Sequence, residues 1–184
     1  MRIRTTALVA VLLTGGTLAT LPAGSATAAG PVSGAAVVLG IAEADGEAGV
    51  WDSAVQHFDG SQEQADRILR DMNDLDAVLK ADTQEMRDAG PLTVAVEEKA
   101  AVSTYTDFAG RVEKSLDGLA KEAPQFQKLG LNGVVANTVK GLQSDTDTFS
   151  GTLSSIADAN DQGVIKTASA SIDDEFKKAL SAFS

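Results

Sequence analysis

The sequence lacks cysteine altogether and contains a single histidine, His57, among its 184 residues. Without cysteine the fold has no disulfide, and one imidazole with no thiolate falls short of the ligand set that a zinc site requires. A Ser-His-Asp triad would have to use His57, but neither a Gly-x-Ser-x-Gly nor a Ser-x-x-Lys sequence occurs. We therefore predict no catalytic residue, no metal site and no cofactor, and a protein that is not an enzyme.

Positive charge is scarce, with 15 lysines and arginines against 26 aspartates and glutamates and a net charge of −11 at pH 7. So acidic a surface repels phosphate backbones and anionic lipid head groups, which disfavours nucleic acids and polybasic attachment to membranes. Long hydrophobic runs are missing too, because the apolar stretch at residues 7–13 is too short to cross a bilayer. We expect no nucleic-acid partner and no integral membrane contact.

Residues 1–29 have the layout of a secretory signal peptide. Arg2 and Arg4 form a basic start, residues 7–13 form an apolar run, and Ala-Thr-Ala at residues 26–28 provides a small-residue cleavage site. We expect this segment to be removed, leaving a flexible lead-in over residues 30–37 and a single domain over residues 38–184. The protein is then predicted to be secreted and extracellular.

Two rows of apolar residues between Val134 and Ala157 predict the helix around which the chain is organised. The rows step by seven residues and consist of Val135, Leu142, Phe149 and Ile156, and of Val139, Thr146 and Leu153. Positions three, four and seven apart share one face of an α-helix, because the helix has about 3.6 residues per turn. Such a stripe needs to be covered by other helices or by an apolar ligand.

Four further stretches show the same heptad pattern, and none alternates as a half-buried strand would. They lie at about residues 37–58, 61–89, 93–123 and 165–183. Successive amphipathic stripes joined by short turns pack against one another as a bundle. The sequence therefore predicts an all-α fold, a single antiparallel bundle of about five amphipathic helices.

Residues typical of helix ends divide the first half of the chain. Ser61 with Gln64 matches a capping box for the second helix, and Thr93 is expected to cap the third. Gly46 and Gly49 each cost about 1 kcal/mol relative to alanine in a helix interior, which predicts a bent or frayed first helix.

Two more boundaries are predicted in the second half. Pro124 is expected to end the third helix, because proline lacks the N–H that a helix interior uses, so Phe126 and Leu129 would lie in a loop. Residues 158–163 are expected to form a polar turn in which Asp161 caps the last helix.

The acidic residues offer no convincing ion site or acid–base pair. Residues 158–163 resemble the first half of a calcium loop, but Ser169 stands at the twelfth position, where a bidentate glutamate is required. Asp145 borders the apolar stripe and is expected to pair with a neighbouring helix, whereas Asp147 points towards solvent. Because these two carboxylates diverge, we predict no catalytic pair.

The segment Gly141–Ser150, which contains Asp-Thr-Asp-Thr-Phe, resembles the hydrophobic surface binding protein A family, which includes fungal cell-wall galactomannoproteins. The likeness continues with a closing helix at residues 172–176, Ala179, the Phe-Ser end at residues 183–184, and the Pro-x-Phe segment at residues 124–126. It covers roughly residues 38–184. The resemblance implies a secreted helical domain that holds fatty-acid-like ligands or adsorbs to hydrophobic surfaces, with cell-wall association as an alternative localisation.

The ligand-facing residues are predicted on the stripes of the third, fourth and last helices. They are Phe108, Val112, Leu142, Thr146, Phe149, Leu153, Ile172 and Phe176. Polar residues interrupt these and other stripes, namely Thr146, Ser115, Ser169 and Asp82. Each either bonds a backbone carbonyl one turn back or lies at the stripe edge, or it meets the polar head of a ligand.

Two functions remain open from the sequence. In the first, a monomeric carrier binds hydrophobic small molecules such as fatty acids in the bundle core, where each buried CH₂ contributes about 0.8 kcal/mol. In the second, the helices adsorb to hydrophobic surfaces or to the cell wall and recruit hydrolases there. A secreted enzyme is the third class, and no residues support it.

Overall fold

The computed structural model describes residues 32–184. The predicted signal segment, residues 1–29, and the first part of the predicted lead-in therefore lie outside the described residues.

Five helices make up the described part of the chain, which contains no strand. Their bounds are α1 Gly34–Gln56, α2 Gln62–Ala89, α3 Ala95–Lys128, α4 Asn132–Ile156 and α5 Ala159–Ala182. The predicted all-α bundle is confirmed. Within residues 32–184 no helix combines the length and apolarity needed to cross a membrane.

The helices form a closed ring in which each packs against two neighbours, in the order α1, α2, α4, α5, α3. Consecutive helices run in opposite directions, but helices two apart in sequence run in the same direction. Between α1 and α3, for example, Asp45 pairs with Arg111 at 2.5 Å and Asp52 pairs with Lys114 at 2.9 Å. The apolar stripes face the interior of this ring and form one continuous core.

Helix α1 starts earlier than predicted. Ser33 caps it, its Oγ accepting a hydrogen bond from the Ala36 N–H at 3.3 Å, and Val37 is buried in the core. The prediction of a flexible lead-in through residue 37 is therefore wrong from Gly34 onwards, because the apolar stripe already includes Val37. The helix also continues without interruption through both of its interior glycines at residues 46 and 49.

The capping predictions for α2 and α3 have different outcomes. The Ser61 Oγ accepts from the Gln64 N–H at 3.3 Å, as predicted, although the Gln64 side chain accepts from the Asp59 N–H instead of returning to Ser61. The prediction for Thr93 is wrong. Val94 occupies the cap position of α3 and makes no side-chain capping bond.

Pro124 lies inside α3, so the prediction that it ends this helix is wrong. Proline removes one hydrogen bond to the preceding turn, but helix residues beyond it remain anchored by packing. Phe126 is fully buried, stacks on Phe58 with ring centroids 4.6 Å apart, and meets the edge of Phe183 at 5.8 Å. Burial of this aromatic side chain explains why the helix extends to Lys128 instead of forming the expected loop.

The turn before α5 is shorter than predicted, and the N-cap of α5 is Asp158, not Asp161. The Asp158 carboxylate accepts hydrogen bonds from the N–H groups of Asn160 at 2.7 Å and Asp161 at 3.1 Å. The Asp158 N–H in turn donates to the buried Glu98 carboxylate of α3. An acidic side chain from a distant helix thus fixes where α5 begins, which local sequence does not reveal.

A buried acid lies where α1 crosses α2. Asp82 is 6% exposed, and a Cβ added at Gly40 would lie 3.0 Å from its Cγ, so the missing side chain of Gly40 makes room for the carboxyl. Its Oδ2 has no hydrogen-bond partner among residues 32–184. Burial, reinforced by Glu43 and Glu85, raises the pKa of Asp82 from its ordinary 3.8 to about 7.

We predict that Asp82→Asn removes a component of the pH dependence of folding. Because the folded pKa of Asp82 is raised, the native state binds more protons than the unfolded chain between about pH 4 and 7, so stability declines as the pH rises through this window. Urea unfolding at pH 4.5 and 7.5 measures the decline, which should be smaller in Asp82→Asn. The exposed change Asp74→Asn on the same helix serves as the control, and an unchanged decline in Asp82→Asn would contradict this assignment.

Candidate functional site

The eight residues predicted to face a ligand all lie in the bundle interior, and none is more than 2% exposed. They come from three helices: Phe108 and Val112 from α3, Leu142, Thr146, Phe149 and Leu153 from α4, and Ile172 and Phe176 from α5. The structure therefore gathers them in one apolar core. Whether a ligand touches them stays a prediction.

An aromatic cluster bridges the ring interior between α3 and α4, which are not neighbours in the ring. The Phe108 and Phe149 ring centroids are 5.6 Å apart, and Tyr105 lies 6.0 Å from Phe108 and 6.2 Å from Phe149. Sequence analysis identified both phenylalanines but not Tyr105 as site residues. Tyr105 lies seven residues before Val112 and therefore on the same stripe of α3, and this spacing could have identified it as a site residue.

The Tyr105 hydroxyl is part of a short buried chain of hydrogen bonds. It lies 2.8 Å from the Oγ of Ser169 on α5, and the Ser169 hydroxyl donates to the Ile165 carbonyl at 2.9 Å, which leaves Tyr105 as the donor to Ser169. Burial raises the pKa of Tyr105. Ser169 and likewise Ser115, which donates to the Arg111 carbonyl, therefore match the backbone-bonding interpretation.

Thr146 behaves differently from the other threonines of α4. Thr138, Thr148 and Thr152 each donate to the carbonyl one turn back, at 3.1, 2.8 and 2.8 Å. The Thr146 hydroxyl is buried and has no hydrogen-bond partner among the described residues. A buried hydroxyl without a partner is costly, so this group offers a polar contact in an otherwise apolar wall.

Asp145 and Asp147 diverge, as predicted, but only one of them has the expected surroundings. Asp145 pairs with Lys80 of α2 at 3.2 Å, which confirms the predicted contact with a neighbouring helix. Asp147 is exposed, as predicted, yet it also shares a hydrogen bond with Asp173 of α5. Partial burial and this second carboxyl raise the pKa of Asp147 to about 6.

Two grooves flank α5 on the outside of the ring. The groove between α3 and α5 has a volume of about 540 Å³ and is lined largely by small residues such as Ala109, Gly110 and Ala168. The groove between α4 and α5 measures about 460 Å³ and contains Asp147 and Asp173. These grooves place open space directly beside the core residues of α3, α4 and α5.

Glu98, Asp158 and Asp161 bring three carboxylates within 4.8 Å of one another at the start of α5. Glu98 and Asp158 already accept backbone N–H groups, so their oxygens serve the turn. His57 terminates α1, and its Nδ1 lies 2.8 Å from the Ser53 carbonyl. Neither the three carboxylates nor His57 is arranged as a nucleophile with its base.

Solved structures with the same fold include AFMP4P in complex with palmitic acid, at a TM-score of 0.78 and 23% identity, covering 83% of this chain and all of that one. Ligand binding domain 1 of the Penicillium marneffei MP1 protein, complexed with arachidonic acids, has a TM-score of 0.71 and 19% identity and covers 80% and 94%. Domain 2 of the same protein, also with arachidonic acids, gives 0.70 and 20%, covering 80% and 90%. A comparison with curated proteins gave no match.

The family model described as hydrophobic surface binding protein A matches residues 34–155, which span α1 to α3 and nearly all of α4. The matched range includes residues 141–150, the segment whose sequence resembles this family. The chain belongs to the hydrophobic surface binding protein A family.

Proposed function

We propose that this protein binds a fatty acid or a similar amphipath between the helices of its core. The observation that supports this most is the likeness of the whole bundle to structures complexed with palmitic and arachidonic acids. The interior offers a continuous apolar surface from all five helices of the described chain. At about 0.8 kcal/mol per CH₂, a long acyl chain gains enough from burial there to bind tightly without specific chemistry.

The core can adapt its shape to an acyl chain. Met72 and Met86 of α2 are buried at the centre of the apolar surface, and unbranched thioether side chains change rotamer with little strain. The aromatic cluster of Tyr105, Phe108 and Phe149 comes from α3 and from α4, the neighbour of α2 in the ring, and supplies a rigid wall. A flexible wall and a rigid wall together suit ligands that differ in length and unsaturation.

We assign the contact with the ligand's polar head to Thr146. Its hydroxyl is buried without a partner, so a carboxyl or hydroxyl oxygen placed beside it would form a bond that the free protein lacks. The flanking ligand-facing residues, Leu142 and Phe149, would then contact the first carbons of the chain. This role needs no catalysis and no cofactor, and we propose binding alone as the activity of a monomer.

We further propose that the protein acts outside the cell. The basic start, apolar run and small-residue site of residues 1–29 support this, and N-terminal sequencing of protein from the culture medium tests it. A sequence beginning at Met1 in that fraction would contradict secretion.

Adsorption to hydrophobic surfaces is the second candidate function, and family membership favours it. Leu39 of α1 and Val96 of α3 are 72% and 77% exposed. Because α1 and α3 run in the same direction, with Gly34 beside Glu97, both side chains lie at the same end of the bundle. Exposed apolar side chains of this size are suited to contact a waxy or plastic surface.

We predict that Leu153→Trp separates a carrier from a solid bundle. Leu153 is fully buried, so the larger side chain either occupies ligand space or overpacks the core, which typically costs about 1–3 kcal/mol. A carrier should lose binding of a fluorescent fatty acid while its melting temperature changes little. The exposed change Leu39→Trp is the control, and the absence of saturable binding by the wild type would contradict the carrier proposal.

Thr146→Val should change stability and binding in opposite directions. The variant removes an unsatisfied buried hydroxyl and should gain about 1 kcal/mol of stability, but fatty-acid affinity should fall about fivefold, the worth of one hydrogen bond. Isothermal titration with a fatty acid, and with an apolar probe of the same chain length that lacks the carboxyl group, measures the loss. Thr138→Val on the same helix should leave binding unchanged, and equal affinity of Thr146→Val for the acid would refute the assignment.

Leu39→Ser combined with Val96→Ser should weaken adsorption to polystyrene beads, because it removes the two most exposed large apolar side chains of residues 32–184, both of which lie at one end of the bundle. Val50→Ser with Val134→Ser, at positions 43% and 49% exposed towards the other end of the bundle, is the matched control. Binding isotherms on the beads measure the effect. Equal adsorption of the two double variants would argue against an adsorbing end.

A further inference from the structure

The first half of α5, residues 159–171, contributes little to the core and is called the lid segment from here on. Ile165 is the one buried side chain in this stretch. The second half contributes three buried side chains, namely Ile172, Phe176 and Ala179, and Phe183 directly after the helix is buried as well. Because most helix stability in a bundle comes from apolar burial, the lid segment separates from its neighbours at a lower cost than the rest of α5.

Both seams beside the lid segment contain an open groove. The lining of the groove on the α3 side includes Ala109, and that of the groove on the α4 side includes Ile165, both of which are core residues. A Cβ added at Gly110 or Gly163 on the first seam, or at Gly151 on the second, would meet nothing within 4 Å. Larger side chains would fill these seams, so their glycines keep the lid segment loosely packed.

Polar contacts hold the lid segment where apolar ones are few. At its start the Asp158 N–H donates to Glu98 of α3, and near its end Ser169 accepts from Tyr105 of α3. Just beyond its end Asp173 shares a hydrogen bond with Asp147 of α4. Two carboxyl groups can share such a bond only while one of them is protonated, since two carboxylates offer no donor and repel.

We propose that the lid segment covers the passage by which an amphipathic ligand reaches the core, and that the contact between the Asp147 and Asp173 carboxyl groups across the groove between α4 and α5 holds it closed. This rests on the proposed function, because it concerns access to the same core. Loss of the proton leaves two like charges facing each other across the α4–α5 seam, which pushes the lid segment outwards. The protein then holds its ligand in acid and exchanges it at neutral pH.

The surroundings of the carboxyl pair permit this behaviour. Tyr105 faces it from α3 and stays neutral, because burial raises its pKa. Lys166 lines the same groove from α5, and Lys177, which also lies on α5, pairs with Asp174 at 2.9 Å. Burial and the Asp173 carboxyl raise the pKa of Asp147 to about 6 in the closed state.

Opening is therefore linked to pH with a defined sign. In the open state the Asp147 carboxyl is hydrated and titrates near its ordinary value of 3.8, so that state binds fewer protons between about pH 4 and 6. Opening becomes more favourable as the pH rises through this window and levels off above it. Asp82 titrates elsewhere, between α1 and α2, and contributes equally to proteins that differ only at the carboxyl pair.

Stopped-flow release of a fluorescent fatty acid at pH 4.5 and 7.5 tests the latch. Release from the wild type should be about tenfold faster at the higher pH, allowing for solvent screening of the pair. In Asp147→Asn the amide donates to the Asp173 carboxylate at both pH values, so release should stay slow. Asp174→Asn, which removes an exposed carboxylate of α5, should behave as the wild type, and the probe's own titration is common to all three proteins.

Hydrogen exchange of the ligand-free protein provides the second measurement. Protection of amides in residues 162–171 should fall between pH 4.5 and 7.5 relative to residues 176–182, and Asp147→Asn should abolish the difference. Equal pH dependence in wild type and Asp147→Asn would overturn the latch. If the wild type binds no fatty acid, the proposed function fails, and hydrogen exchange still decides whether the lid segment opens.

Discussion

The structure depends on burying five apolar stripes against one another without any covalent cross-link, since the chain has no cysteine. The ring order satisfies this constraint by placing helices two apart in sequence side by side and in the same direction. Polar contacts between such helices, including Asp45 with Arg111 and Tyr105 with Ser169, join residues 60 to 66 positions apart. That separation equals two helices with their turns, so helices two apart in sequence lie at nearly the same height along the bundle.

Much of the fold could be predicted because the heptad pattern shows which residues must be buried. Each stripe predicted a helix, and the eight residues chosen from three stripes all lie in the core. The helix ends were predicted less well. Pro124 and Asp158 were misassigned because a distant side chain decides each case, Phe58 packing on Phe126 beyond the proline and Glu98 accepting the Asp158 N–H. Local propensity has no access to contacts of that range.

The polar part of the site was predictable only in part for the same reason. Periodicity placed Asp145 at the stripe edge, but the hydrogen bond between Asp147 and Asp173 depends on the relative height of α4 and α5, which periodicity leaves undetermined. The burial of Asp82 likewise requires that Gly40 of α1 lie beside it. The chain has a net charge of −11, and some of its acids are buried or paired with another acid. Because ionising such acids costs free energy, they lower the stability of the fold as the pH rises towards neutral.

Weak packing of the lid segment fits the proposed carrier function. A core that buries every stripe completely would leave an acyl chain no route inwards, because close-packed interiors do not deform gradually. Residues 159–171 carry one buried side chain and are edged by glycines, so the cost of opening is concentrated in one half of one helix. The aromatic cluster and the Phe58–Phe126 stack are formed by residues outside the lid segment, so the proposed opening would not require either to separate. Stability and access are thereby assigned to different parts of the same ring.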